Sequence, residues 1–302
     1  MGCYFLNMNH ALKGEPLDES ATRDGFAVAE SYGFTDVRIY HLFSRIVRAA
    51  FTGNGATFVP TLAEKTELIR RLGNPRLPER NLAIYTPPYY LEREEHELVE
   101  AIVAKGERLA EVLTGDRWLR LYVEVYRACR DVLFGKEDAA RQSLPRALEA
   151  ARAADFRMET LVRVYQSRFE RGQGRLEEAR EAAEAALARA TDPVLANPFD
   201  EILARRALAP LLPPEESREH YARALVVAEQ SENVLQQGLI QLERALLLAG
   251  APGEASAALE SAERALTEAR APGLLPRVEA LRRTLPPLPP GEGRGEGAKT
   301  PG

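Results

Sequence analysis

The sequence predicts an all-α protein built as an elongated array of helical hairpins, and three observations carry that prediction. Small residues recur at fixed intervals: Ser167, Ala179 and Ala186 lie 12 and then 7 residues apart, with Gly174 five residues before Ala179. The same intervals join Ala128, Ala140 and Ala147, with Gly135 five before Ala140, and the five and seven recur at Gly253, Ala258 and Ala265. The glycines also set a period, because Gly135 to Gly174 is 39 residues and Gly174 to Gly253 is 79, close to twice that. A fixed period near 40 residues makes one repeat array a better reading of a 302-residue chain than two ordinary domains. Finally, 45% hydrophobic and 28% charged residues supply enough apolar surface for a continuous core between stacked hairpins.

Along the chain, residues 18–33 read as a first helix capped by Asp18 or Ser20 and stopped at Gly33, with Ala21, Phe26, Val28, Ala29 and Tyr32 on its apolar stripe. Thr35–Thr52 carries Val37, Tyr40, Leu42, Phe43, Ile46, Val47 and Ala50 at helical spacing, and Gly53–Ala56 forms the turn. Its mate is expected from Phe58 to Leu72, with Pro60 in the first turn and Gly73-Asn74-Pro75 as terminator. Residues 74–90 hold Pro75, Pro78, Pro87, Pro88 and the tyrosines Tyr85, Tyr89 and Tyr90. They read as a degenerate repeat whose first helix is Glu79–Tyr85, followed by a long helix from Leu91 to Leu113.

From Asp116 the rhythm is regular, and hairpins are expected at 116–134 with 137–154, 155–172 with 174–190, 197–211 with 214–231, and 233–249 with 252–270. Echoes of Arg-Ala-Leu at Arg146, Arg223 and Arg264 mark the second helices. A short helix, Leu274–Leu285, caps the array, and residues 286–302, rich in Pro and Gly, lack the apolar content to order themselves. The expected division is therefore an N-terminal helical region, 1–90, a repeat array, 91–285, and a disordered tail, 286–302. Each hairpin buries only one stripe per helix, so neighbours must supply the rest of the core, and alanines at the crossings let helix axes approach to about 8–10 Å.

Several classes of function are argued against. A net charge of −5 provides no basic field to collect nucleic acid. Two cysteines, Cys3 and Cys129, cannot build a disulfide framework or a metal knuckle, and no run reaches the apolar length of a membrane span. With no convincing leader at the N-terminus, the expected location is the cytoplasm. Gly135-Lys136 lacks the remaining glycine and hydroxyl of a phosphate-binding loop, and Gly53-Asn54-Gly55 and Gly172-Gln173-Gly174 read as inter-helix turns. His96 and Glu100 form half of a zinc-protease pattern without a second His; His41 reads as a hydrogen-bonded core histidine; Cys129 reads as packing; His10 and His220 belong to no recognisable motif. No catalytic residue, metal or cofactor is therefore expected.

The small residue, the next 12 on, another 7 further and the glycine five before the middle one resemble the tetratricopeptide repeat. The likeness covers residues 91–270, with units near 40 rather than 34 and with Arg152 and Thr191 where the family carries proline. It implies a right-handed superhelix whose concave groove is lined by the first helix of each hairpin. On this sequence those positions are Tyr122, Val125, Tyr126 and Cys129, then Leu161, Val164, Tyr165 and Arg168. A mixed aromatic and aliphatic groove of this kind implies a non-catalytic scaffold or adaptor that binds a protein or peptide, and it lacks the Lys and Asn set that clamps a peptide carboxylate. The alternative set for the tyrosines is inter-repeat core with hydroxyls at the rim. In texture the array is also similar to the C-terminal repeat regions of bacterial signalling kinases and signal-transducing ATPases, which implies a regulatory or sensing arm. A helical enzyme with a site between the first 90 residues and the array is the remaining reading.

Overall fold

The computed structural model describes residues 7–8, 10–11, 16–71, 76–154, 156–194 and 196–285, and among them every regular element is helical. The expectations for Gly73-Asn74-Pro75, for Cys3 and for the tail at 286–302 lie outside the described residues. In chain order the helices are α1 (Glu19–Ser31), α2 (Thr35–Thr52), α3 (Gly55–Arg70), α4 (Arg76–Tyr85), α5 (Pro87–Glu92), α6 (His96–Val112), α7 (Arg117–Leu133) and α8 (Glu137–Ala154). They continue as α9 (Phe156–Gly172), α10 (Leu176–Ala190), α11 (Pro198–Leu208), α12 (Pro214–Gln230), α13 (Val234–Leu247), α14 (Pro252–Glu268) and α15 (Leu275–Thr284). Short 3-10 turns follow α11 at Ala209–Leu211 and precede α15 at Pro272–Leu274.

Local chemistry fixes these boundaries. Asp18, Asn54, Asp116, Asn197 and Asn233 each accept a backbone N–H two or three residues on, satisfying donors that an α-helix start leaves free. Gly135 and Gly174, at φ +63° and +75°, turn α7 into α8 and α9 into α10 in the left-handed conformation that glycine adopts at little cost. The mates α7–α8, α9–α10 and α13–α14 pack most extensively. At the first two crossings Ala128, Ala140, Ala147, Ser167, Ala179 and Ala186 are all buried.

Four details depart from expectation. In the last unit Ala265 is only half-buried and Gly253 is exposed inside α14. Ala255 and Ala262 are the fully buried pair, seven apart, with Gly250 five before the first. The buried register lies three residues before the one the spacing predicts, because Pro252 starts a helix that carries alanines at both registers. Ala29 of α1 is buried as expected, but Val28 and, just past the helix end, Tyr32 face solvent, Tyr32 stacking on Phe34, and Thr22 is buried instead. The mate of α2 begins at Gly55, so Pro60 lies inside α3 rather than in its first turn. The single helix expected over Leu91–Leu113 is broken: α5 ends at Glu92, Glu94 turns the chain at φ +55°, and α6 starts at His96.

The chain meets itself. Arg93 donates to the carbonyls of Ala269 and Arg270, Asn233 Nδ2 donates to the Phe51 carbonyl at 2.6 Å, and Arg48 pairs with Glu232 at 3.2 Å. Gly53, at φ +65°, brings the α2–α3 turn so close to Leu235 that an added Cβ would lie 2.2 Å from the leucine Cβ. Arg277 pairs with Glu94 at 2.7 Å. Residues 48–94 are thus seated against the last hairpin, and the helices between them surround a central chamber.

Candidate functional sites

Burial changes the meaning of the predicted groove residues. Tyr122, Tyr126, Cys129 and Leu161 are buried in the inter-repeat core, so they present no groove surface. The cause is α4–α6, which packs where an open concave face would be. Tyr122 leans on Tyr85, and the Tyr126 hydroxyl donates to the Ile84 carbonyl at 2.6 Å. Burial pushes the Cys129 thiol well up from its ordinary value, which leaves it protonated and packed. Tyr165 is also buried, at 0% exposure, but it and Arg168 line the central chamber, as does Ser167.

That chamber has a volume of about 570 Å³. Its walls come from α5, α7, α9, α11, α12, α13 and α15, so each of the four regular hairpins contributes its first helix. Four guanidinium groups, Arg168, Arg171, Arg206 and Arg277, line it with three carboxylates, Glu92, Glu94 and Glu243. Arg206 is the centre of the network: it reaches Glu243 at 2.6 Å, Glu92 at 2.9 Å and the Gln236 amide oxygen, while Gln236 Nε2 donates to Glu92 at 3.1 Å. Burial alone would raise the Glu92 carboxyl, yet Arg168, Arg206 and the Gln236 hydrogen bond hold it below the usual carboxylate range. For Arg206, the attraction of Glu243 and Glu92 outweighs desolvation and raises its value further.

Sequence reading found Arg168 but missed Glu92, Arg206, Gln236 and Glu243. Arg206 and Glu243 stand on first helices, the elements expected to line the concave side, and that was the available signal. Glu92 gave none, because it reaches the interior through the unpredicted break after α5. His96 and Glu100 are occupied by other contacts: the imidazole lies 4.6 Å from the Phe134 ring, and Glu100 pairs with Lys136 and Arg130. His41 is buried as expected, but its Nδ1 has no hydrogen-bond partner among the described residues; it packs against Phe26 and Gly25, and burial lowers its pKa.

A second concavity, of about 590 Å³, lies on the outside between α3 and the α5–α6 elbow. Its floor is aromatic. Phe58 and Tyr89 stack with centroids 3.7 Å apart, and Tyr90 meets both edge-on. Burial pushes the Tyr89 and Tyr90 hydroxyls up to about 12. Val59 and Leu98 stand on its lip at 53% and 48% exposure, and Glu67, Arg70, Arg93 and Glu95 surround it. Among the described residues no helix is long and apolar enough to cross a membrane. No family model matches the chain, and no curated protein matches it in sequence.

Proposed function

We propose that this chain is a non-catalytic protein-interaction module, a right-handed superhelical array of tetratricopeptide-like hairpins, and that it docks a partner through the aromatic groove between α3 and the α5–α6 elbow. The observation that supports this reading is the composition of that groove. An apolar and aromatic centre with two solvent-facing aliphatic side chains, ringed by residues of both charge signs, has the anatomy of a protein interface. The occupant that fits is a short segment with an apolar face and flanking charges of both signs.

Val59→Glu combined with Leu98→Glu tests it, because both side chains are exposed and neither substitution opens a cavity. In affinity capture from the source organism, a partner held by wild type should bind the double variant at least about tenfold more weakly, with thermal stability unchanged. Retention of the same partner at wild-type affinity would refute the groove as the docking surface. A second reading, a regulatory or sensing arm of a signalling kinase or ATPase, is favoured by the central chamber, whose occupancy would bear on the contacts that close the array.

A further inference from the structure

We propose that the central chamber is a binding site for a small organic anion with an apolar body. The size fits: about 570 Å³ lies within the range of small-molecule pockets, roughly 300–1,000 Å³. The charge does not close internally. Glu243 is taken up by Arg206, Glu92 is shared between Arg206 and Arg168, and Glu94 is held by Arg277. That leaves Arg171, which lines the chamber and forms no ion pair among the described residues. Arg168, one turn before it on α9, has its Glu92 contact at 3.3 Å, with 26% of its side chain accessible. One positive charge therefore stands in excess, carried on a helix face that presents two guanidinium groups to the same space. A guanidinium presents a planar fork of donors, which matches carboxylate and phosphate oxygens.

Two further observations point the same way. Tyr165 and Ser217 line the chamber from α9 and α12, both are almost completely buried, and neither hydroxyl has a hydrogen-bond partner among the described residues. A buried hydroxyl without an acceptor carries an uncompensated desolvation cost, and an anion beside it supplies the missing acceptor. The lining also holds an apolar wall, contributed by Leu91 of α5, Val132 and Leu133 of α7, and Leu239, Leu247 and the 56% exposed Leu246 of α13. An anionic head set against α9 and α12, with its hydrocarbon body on this wall, uses both halves of the lining. The site is separate from the groove proposed for partner docking, so either can stand without the other.

Calorimetric titration of the full chain with octanoate, octyl phosphate, octanol, octylamine and inorganic phosphate tests the inference, alongside the Arg171→Ala and Ser217→Ala variants. One or both of octanoate and octyl phosphate should bind at least about tenfold more tightly than octanol and octylamine, and Arg171→Ala should remove most of that preference while leaving octanol binding unchanged. The stronger of the two anions identifies the head as carboxylate or phosphate. Inorganic phosphate should bind more weakly than octyl phosphate, because it leaves the apolar wall uncovered. Octanol binding as tightly as octanoate and octyl phosphate would overturn the anion assignment. Absence of binding by every probe, or anion binding that both variants leave unchanged, would overturn the site itself. Capture of the partner through the Val59 and Leu98 groove would be unaffected in any of these cases.

Discussion

Lys65 stands on α3 with 1% exposure, its ammonium 3.8 Å from the centroid of the Phe43 ring, and makes no hydrogen bond or ion pair among the described residues. Desolvation drives its pKa well below the ordinary lysine value, and the ring offsets part of the cost of burying the charge. A lowered folded value means that the unfolded chain binds more protons between that value and about 10.4. This contribution to stability is therefore fully present above about pH 10.4 and is lost as pH falls towards the folded value. Lys65→Met should raise stability by about 1 kcal/mol or more at neutral pH and flatten the dependence between roughly pH 8 and 10, as measured by urea denaturation. An unchanged slope would show that Lys65 titrates normally in the folded protein. At this scale the sequence was legible where a residue's type agrees with its surroundings, as at Ala140 or Ala179. It was silent at Lys65, Glu92 and Arg206, whose burial depends on partners from distant helices.

Helical elements were the most readable level, since hydrophobic period, capping Asp and Asn, and turn glycines all act within a few residues of each other. What escaped were the places where tertiary contact overrides local preference. Glu94, Glu232 and Arg270 adopt the left-handed conformation without being glycine, and each lies where the two ends of the array meet. Glu94 pairs with Arg277, Glu232 with Arg48, and the Arg270 carbonyl receives Arg93, so the strained positions contribute to closing the molecule. No glycine marks the end of α5, and for that reason the helix appeared continuous in sequence. The corrected register of the last hairpin is testable. Ala262→Leu, at a fully buried crossing of α13 and α14, should cost about 1–3 kcal/mol by overpacking, whereas Ala265→Leu should stay within about 0.5 kcal/mol. A larger cost at Ala265 than at Ala262 in denaturant titrations would place Ala258 and Ala265 at the crossing instead.

At the scale of the whole molecule, the repeats do not form an open trough with the first 90 residues as an appendage. Residues 48–94 bridge to α13 and to the turn after α14, and a chamber lined by guanidinium and carboxylate groups lies among the helices so joined. Periodicity predicts that hairpins stack, but it carries no information on how far the stack curves or on what fills its axis. Those depend on contacts more than 170 residues apart in sequence, such as Arg93 with Ala269 and Asn233 with Phe51. Closure is the central claim, and zero-length carbodiimide coupling tests it most directly. In the Arg48→Lys variant at dilute monomer, the new amine at position 48 should form an amide with Glu232, identified by mass spectrometry of the digested monomer band. The pairs Lys105 with Glu79 and Lys136 with Glu100, at 3.0 and 2.8 Å, serve as internal controls within neighbouring elements. Coupling of position 48 to Glu232 alongside both controls is the predicted result; efficient coupling of the controls with none between position 48 and Glu232 would contradict a closed array.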